Sequence, residues 1–422
     1  MIYKDELANG VRVITQEMPD AYSVTASLWA ATGSAYEEAG EGGISHVVEH
    51  MLFKGTARRN YQQIAQLLED VGGQMNAFTS REYTCYYTRS LAENLELCLD
   101  LLSDMYCEAR FPAEEWAKEQ GVILEEINMY EDTPDDLVGE LFNRQIFGGH
   151  PYGLPVIGTA ALVSSFDRER IDGYCRRHYV PKHTVLAVAG KISREQVLAL
   201  AERYLGGGSG LAAGSWDKPR IAAPKYQAGQ VYVHKDIEQV HVTLGVPGLA
   251  GDDKAIYTLN ILNSILGGGV SSRLFQEVRE KRGLTYSVCS SVNALGYGGT
   301  FSAYASTSPR RARELLQVLG WEMARLAAAG VSQEELVRAQ MQFKAGLLMS
   351  LENTANVMVR LGRNEVVYQK LRTVEEQVAA IMKVTTEQVQ ALARELLRPE
   401  RLVLSQVGPA EIKVSPAELL QC

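Results

Sequence analysis

A segment near the end of each half of this 422-residue sequence recurs at a fixed spacing. Residues 181–190 and 399–408 both begin with proline, continue as an apolar strand and end with glycine. The spacing is 218 residues, and it also relates Glu169 to Glu387 in the helix predicted before each strand. A repeat of this length predicts two copies of one folding unit. A chain of 422 residues is also too long for a single ordinary core.

Linker-like composition separates the two copies, because residues 206–224 are rich in glycine, alanine and serine. We therefore predict an N-terminal domain of residues 1–208, a linker of residues 209–226 and a C-terminal domain of residues 227–422. The predicted fold class is α+β. Two homologous α/β domains are expected, each a mixed, mostly antiparallel sheet covered by helices. Within the first copy, residues 131–160 are expected to be loop-rich, because aspartate, proline and glycine cluster there.

Composition limits the classes of function. The net charge of −9 leaves no basic excess to neutralise phosphates, which argues against nucleic acid as a partner. No stretch of about twenty apolar residues is present, so no membrane-spanning helix is predicted. The N-terminus lacks the pattern of a secretory signal. The six cysteines form no C-x-x-C pair and are expected to be reduced thiols. We therefore expect a soluble, cytoplasmic protein.

His46 and His50 enclose the five-residue motif His-Val-Val-Glu-His, in a stretch predicted to be helical. Residues four apart lie one turn apart on the same helix face, so both imidazoles can point at one metal ion. Glu49 lies beside that face, where a carboxylate can act as a base for water at the ion. The order H-x-x-E-H is that of the inverzincins. Taken alone, the motif fits an amphipathic helix with two surface histidines equally well. The corresponding helix of the second copy, residues 259–266, has no histidine.

A zinc site needs a third protein ligand. None of the remaining histidines is paired at ligand spacing. A helix predicted from Ala113 to Tyr130 is a better donor, because Glu119 and Glu126 are seven residues apart and share a face. Glu126 is the candidate ligand, and Glu119 is a candidate to orient a ligand histidine. For the other glutamates of this helix, a solvated acidic face is the preferred interpretation.

Together these motifs resemble the pitrilysin/insulinase family of zinc metallopeptidases. The resemblance is greatest to the branch of mitochondrial processing peptidase and its single-chain bacterial relatives. It covers nearly the whole chain, with the motifs in the family's order. The matching segments are Gly43 to Thr56, Asn76 to Thr79, Glu119 to Ile127, Leu266 to Phe275 and Arg279 to Tyr286.

The resemblance implies a role for each residue of the metal motif. His46, His50 and Glu126 would bind one zinc ion per chain. Glu49 would be the general base that takes a proton from the zinc-bound water and passes it to the leaving amine. Glu119 matches the family's second acid on its helix and would support a ligand histidine.

The resemblance also implies where the substrate lies. Asn76, Ala77 and Phe78 match an edge strand to which an extended peptide can add by main-chain hydrogen bonds. Arg279 and Tyr286 match a pair that reaches the substrate from the opposite side. A guanidinium and a phenol are suitable donors to a developing oxyanion. From the residues alone, an arginine on a charged helix and a tyrosine in a strand would be the preferred interpretation.

The glycine run at Gly267–Gly269 is not followed by G-K-[ST], so we do not expect it to bind a nucleotide. It falls where the non-catalytic subunit of the processing peptidase has a longer glycine-rich loop that contacts substrate. Because the run is short here, a turn that ends a helix is expected instead.

The quaternary structure and function are also implied by the resemblance. In this family, two units of this size face each other as a clamshell around a chamber. The expected form here is a homodimer with two composite sites, each combining the zinc residues of one subunit with Arg279 and Tyr286 of the other. The expected function is that of a zinc-dependent endopeptidase that cleaves oligopeptides or extended segments inside the chamber. Two alternatives stay open: a non-catalytic structural subunit of a larger complex, and a catalytic subunit that needs a distinct partner chain.

Overall fold

A computed structural model describes residues 1–207, 211 and 216–420 of the chain. The chain forms two compact units, and neither is continuous in sequence. Unit 1 comprises Met1–Asn128, Leu154–Ile221 and Met349–Leu371. Unit 2 comprises Met129–Gly153, Ala222–Leu348 and Arg372–Cys422. Each half of the sequence therefore contributes a segment to the unit formed mainly by the other half. Part of the predicted linker, residues 209, 210 and 212–215, lies outside the described residues.

Fifteen α-helices occur in the described part of the chain. In chain order they are α1 (Ile44–Leu52), α2 (Tyr61–Glu69), α3 (Leu95–Glu108), α4 (Ala113–Asp132), α5 (Pro134–Phe147), α6 (Ala160–Ser165), α7 (Arg168–His178), α8 (Arg194–Leu205), α9 (Ile256–Gly267), α10 (Ala312–Ala329), α11 (Gln333–Ser350), α12 (Thr354–Arg363), α13 (Val374–Met382), α14 (Thr386–Leu396) and α15 (Pro416–Leu419). Two π-helical segments span Phe275–Glu280 and Asn364–Tyr368. Short 3₁₀ turns span Ser34–Tyr36, Ala92–Asn94, Pro151–Gly153, Pro181–His183 and Pro399–Arg401.

Unit 1 is built on a six-stranded sheet. Its strands are β1 (Ile2–Glu6), β2 (Arg12–Glu17), β3 (Ser23–Ala30), β4 (Gln74–Thr79), β5 (Thr84–Leu91) and β6 (Thr184–Gly190). Across the sheet they run in the order β1-β2-β6-β3-β5-β4. The β2–β6 pair is parallel and the other pairs are antiparallel. Every residue of β6 is buried, as expected for a central strand with helices on both faces of its sheet.

Unit 2 is built on a five-stranded sheet. Its strands are β7 (Gly229–His234), β8 (Val240–Pro247), β9 (Val288–Ala294), β10 (Gly299–Thr307) and β11 (Val403–Gly408). They run in the order β7-β11-β8-β10-β9, and the parallel pair is β7–β11. The same order relates strands β2-β6-β3-β5-β4 of the first sheet, and its parallel pair β2–β6 occupies the position of β7–β11. The predicted α+β fold with two related mixed sheets is confirmed.

The glycine run at Gly267–Gly269 lies at the end of a helix, as predicted, because α9 ends at Gly267 with Gly268 as its C-cap.

One helix from each half of the sequence covers the sheet of the other half. In unit 1, α1, α3 and other helices pack on one sheet face, and α12 packs on the other, against Trp29 and Val185. In unit 2, α5 packs on one face of the five-stranded sheet, where Val138 contacts Val407. The prediction that residues 131–160 are loop-rich was wrong, because α5 is a 14-residue helix within that range.

No helix in the described ranges is both long and apolar enough to cross a membrane. The five cysteines of those ranges are free thiols, and Cys422 lies outside them.

Candidate metal centre

Helix α1 is fixed at its N-terminus by Gly43 and Glu37. Gly43 has φ of +94°, and a Cβ there would lie 2.6 Å from the carbonyl oxygen of Ile157, so glycine is required. The Glu37 carboxylate accepts hydrogen bonds from the backbone N–H groups of Gly43 and Ser45, each at 2.9 Å. A carboxylate at this end of a helix also interacts favourably with the helix dipole. The start of the motif helix is therefore held rigidly.

The buried face of α1 determines where its histidines point. Ile44, Val47, Val48, Met51 and Leu52 are buried in the core of unit 1. The two histidines project from the other side of the helix, with ring centroids 4.5 Å apart. Their side chains stay partly accessible, at 12% for His46 and 21% for His50.

Helix α4 brings Glu126 to the two histidines. Glu126 Oε2 lies 3.7 Å from His46 Nε2 and 3.5 Å from His50 Nε2. These distances are long for hydrogen bonds. They match the separation of about 3.4 Å between neighbouring ligands around an ion with tetrahedral bonds of about 2.1 Å. One ligand atom from each of the three residues lies within 4.8 Å of the others, which fits a zinc ion. Within the described ranges, no other such group of three was found.

The two histidines differ in their electrostatics. Burial, assisted by the nearby charge of His50, lowers the pKa of His46 to about 3. His46 is therefore neutral at physiological pH, which is the form that binds metals. Burial also acts to lower the pKa of His50, but hydrogen bonding to Glu119 and three nearby carboxylates outweigh it. The pKa of His50 is raised as a result, and the site favours positive charge at this position.

Glu49 lies next to the ligands, and its carboxylate accepts a hydrogen bond from Thr79. The Thr79 Oγ1–Glu49 Oε2 distance is 2.5 Å. Burial raises the pKa of Glu49 against the opposing effects of this hydrogen bond and of His50. A carboxylate with a raised pKa next to candidate metal ligands is suited to accept a proton from water.

Glu119 lies behind the ligands, where it accepts a hydrogen bond from His50. Its Oε1 is 2.8 Å from His50 Nδ1, and its Oε2 is 2.5 Å from Lys54 Nζ. Burial acts to raise the pKa of Glu119, but these two partners outweigh it and lower the pKa. The structure thus places Glu119 where the sequence predicted it, against a candidate ligand histidine.

The candidate substrate residues lie on β4, which is an edge strand of its sheet. Asn76 is exposed, and its Oδ1 accepts a hydrogen bond from the Ala77 N–H at 2.8 Å. Ala77 is partly buried against the core that contains α1. Phe78 packs on the opposite face, with its ring 5.7 Å from that of Trp29. Phe78 therefore has a packing role in the sheet.

Arg279 and Tyr286 lie in unit 2 and contact each other. The Arg279 guanidinium is 4.9 Å from the ring centroid of Tyr286 and 4.7 Å from that of Phe275. Arg279 is on the π-helical segment Phe275–Glu280, and Tyr286 is 85% exposed. Two groups able to donate hydrogen bonds are thus held side by side at the surface of this unit.

Sequence reasoning assigned no role to three residues that contact this site or hold its helix. Lys54 belongs to the motif segment and follows His50 by four residues, a spacing that places both on one side of a helix. That spacing could have identified Lys54. Thr79 and Glu37 are 30 and 8 residues from their partners, and no local pattern marks these contacts.

Models of two related domains match the chain. The model for insulinase (peptidase family M16) matches residues 12–160, which include all three candidate ligands. The model for the peptidase M16 inactive domain matches residues 165–343, which include Arg279 and Tyr286.

Relatives of similar length carry the names of proteases. An uncharacterized zinc protease of Mycobacterium leprae (strain TN) is 38% identical, over 99% of this chain and 94% of the relative. The uncharacterized zinc protease YmxG of Bacillus subtilis (strain 168) is 37% identical, over 97% of this chain and 99% of the relative.

Two solved structures share the fold. One is the peptidase M16 inactive domain from Pseudomonas fluorescens, with a TM-score of 0.90 and 24% identity, over 98% of this chain and 99% of that chain. The other is a protease from Helicobacter pylori, with a TM-score of 0.91 and 22% identity, over 96% of this chain and 99% of that chain. With relatives 38% identical over nearly its whole length, and with matches to both domain models, this chain belongs to the insulinase family of peptidases, family M16.

Proposed function

We propose that this protein is a zinc-dependent endopeptidase that cleaves oligopeptides or extended segments of polypeptide. One zinc ion per chain would be held by His46, His50 and Glu126. The observation that carries this proposal is the convergence of these three side chains within 4.8 Å. Glu49, which is not a ligand in this scheme, lies beside them. The names of the zinc-protease relatives support the same metal and activity.

The chemistry follows from the positions of these residues. Zinc, when bound, supplies a Lewis acid that polarises water and the scissile carbonyl group. Glu49 takes a proton from the attacking water and returns it to the leaving nitrogen. Burial of the Glu49 carboxyl raises its pKa and thus its proton affinity. Glu119 holds His50 by its Nδ1 atom, which leaves Nε2 for the ion.

The substrate would lie along the outer edge of β4. An edge strand offers unpaired main-chain groups to an extended peptide. The Ala77 N–H is already bonded to its neighbour's side chain, Asn76 Oδ1. A peptide that used this donor would have to displace the Asn76 side chain. Asn76 and Ala77 are therefore the proposed contacts, whereas Phe78 supports the strand from its packed face.

We propose in addition that two chains form a homodimer with composite sites inside a chamber. Arg279 and Tyr286 of one subunit would act with the zinc residues of the other. The exposed Tyr286 ring and its contact with Arg279 suit a pair of donors that serves a substrate on another chain. A chamber would limit substrates to peptides and extended segments.

The central test is the substitution Glu49→Gln. The amide keeps the size of the side chain but cannot accept the proton, so peptide cleavage should fall by at least about 10²-fold. Zinc should stay bound, because Glu49 is not a ligand. The matched control is Glu125→Gln, an exposed glutamate beside the ligand on α4, which should keep full activity.

The measurements are peptide-library digestion read by mass spectrometry and metal content by elemental analysis. A chelator should stop cleavage by the parent protein, and added zinc should restore it. Loss of zinc from Glu49→Gln, or full activity of that variant, would contradict the assignment of Glu49. A zinc-loaded parent that cleaves no peptide in the library would contradict the proposed activity.

A further inference from the structure

Lys54 and His50 hold the two oxygens of one carboxylate. Lys54 Nζ is 2.5 Å from Glu119 Oε2, and His50 Nδ1 is 2.8 Å from Glu119 Oε1. Lys54 comes two residues after the end of α1, and its N–H donates to the Met51 carbonyl oxygen at 3.1 Å. Its position is therefore tied to the helix that carries both histidines.

The Glu119 side chain is only 9% exposed, so water can replace few of its contacts. A buried carboxylate needs hydrogen-bond or ionic partners, and one that loses a partner rotates towards another. That rotation would weaken the hydrogen bond with His50. Without that hydrogen bond, the imidazole is free to turn or to move its proton to Nε2.

We propose that Lys54 is a positioning residue of the metal centre. It holds the Glu119 carboxylate in the orientation that faces His50, and Glu119 in turn fixes the His50 ring through Nδ1. The Nε2 lone pair of His50 then faces Glu126, 3.5 Å away. This inference rests on the zinc site of the proposed function, but it concerns metal affinity and not the cleavage reaction.

Lys118 forms an exposed ion pair on α4, the helix that carries Glu119, and offers a comparison with Lys54. Lys118 Nζ is 2.7 Å from Glu115 Oε1, and 67% of the Lys118 side chain is exposed. The corresponding value for Lys54 is 25%. Exposed pairs of this kind contribute little, because solvent screens them. Lys118→Met is therefore a matched control for Lys54→Met.

The experiment measures the zinc dissociation constant by competition with a chelator. Lys54→Met should bind zinc roughly tenfold more weakly, the lower end of the effect of residues that support ligands. Lys54→Arg, which keeps a cation, should restore most of the affinity. Lys118→Met should match the parent. The visible spectrum of the cobalt-loaded protein should change in Lys54→Met, because the His50 ligand is less well fixed.

A double-mutant cycle tests whether Lys54 acts through Glu119. In a Glu119→Ala background, Lys54→Met should cause no further loss of zinc affinity. An equal loss in both backgrounds, or affinity of Lys54→Met within twofold of the parent, would overturn the proposal. Melting temperatures identify any variant that is not folded, and Lys54→Gln then replaces Lys54→Met.

Measuring zinc binding and peptide cleavage separately distinguishes a failure of this inference from a failure of the proposed function. If the parent binds zinc but cleaves no peptide, the proposed activity fails and the Lys54 experiment still decides the inference. If the parent binds no zinc, both fail.

Discussion

His46 and His50 have the same side chain, but their pKa values shift in opposite directions. Burial dominates at His46, whereas the contact with Glu119 and nearby carboxylates dominates at His50. The two histidines therefore differ in their charge state. Burial keeps His46 neutral, whereas His50 donates a hydrogen bond from Nδ1 to the Glu119 carboxylate. In a metal site, this second arrangement fixes the orientation of the ring.

Thr79 is expected to hold the Glu49 carboxylate in place. Thr79→Val keeps the shape of the side chain but removes the donor, so kcat should fall about tenfold or more while KM changes little. The measurement is steady-state cleavage of a library-derived peptide, and zinc content should be unchanged. Thr79→Ser restores the hydroxyl and should recover most of the rate. A kcat for Thr79→Val within twofold of the parent would show that the hydrogen bond is dispensable.

Helical spacing could predict a large part of the site, residue by residue. The structure places His46 and His50 on one face of α1, as their spacing predicts, and the packing of α4 brings Glu126 against them. Their role as ligands stays a prediction. Thr79 could not be predicted, because its contact with Glu49 depends on how β4 packs beside α1. Contacts of this kind arise from tertiary structure and leave no periodic pattern in the sequence.

Helix α1 depends on Glu37 at its N-terminus, and this dependence should vary with pH. Burial raises the pKa of Glu37 to about 7, against a value of 4.5 for an unperturbed glutamate. Because the folded-state pKa is the higher one, its contribution to stability is complete below about pH 4.5 and is lost as the pH rises through about 7. The stability of the parent relative to Glu37→Gln should therefore decline between these pH values. Denaturant melts of both proteins at pH 5, 6, 7 and 8 test this, and a constant difference would contradict it.

Helix α12 lies so close to its sheet that one of its residues must be glycine. A methyl group on Gly362 would overlap the indole ring of the fully buried Trp29. Gly362→Ala should therefore lower the free energy of unfolding by about 1–3 kcal/mol through overpacking. In the matched control Gly346→Ala on α11, the added methyl group meets no atom within 4 Å. That variant should be as stable as the parent or up to about 1 kcal/mol more stable, because alanine favours helices. Urea denaturation compares the two, and equal effects would refute the close packing.

Helix α5 shows where local sequence rules mislead. Pro134 and the aspartates near it suggested a loop, but proline is well suited to the first turn of a helix. The apolar residues Leu137, Val138, Leu141 and Phe142 have the spacing of a helix face. The helical spacing of these apolar residues was a better guide than Pro134, and it would have predicted a helix here.

At the scale of the whole molecule, the repeat predicted the fold class but not its connectivity. Two segments 218 residues apart indicated two related sheets, and the strand orders agree. The exchange of α5 and α12 between the units could not be predicted. Each helix has a buried apolar face, and tertiary packing decides which sheet that face covers.

The proposed dimer predicts that two inactive variants complement each other. Glu49→Gln and Arg279→Ala should each be inactive alone. After subunit exchange of an equal mixture, half of the dimers are mixed and each has one intact composite site, so about a quarter of parental activity should return. Subunit exchange is confirmed with differently tagged chains. Exchange without recovery would count against composite sites, and a parent that is monomeric by size-exclusion chromatography would count against the dimer.

Because α5 and α12 each cover the sheet of the other half, the two sheets are covered at different times during synthesis on the ribosome. The chain emerges from its N-terminus, and domains normally fold as they appear. All strands of the first sheet are present once residue 190 has emerged, but the apolar face around Trp29 has no cover until α12 ends at Arg363. Helix α5, by contrast, is made more than 250 residues before β11, one of the strands on which it packs. A nascent chain that has reached residue 340 therefore carries the complete first sheet with one bare hydrophobic face, and we expect chaperones that bind such faces to engage it at this stage.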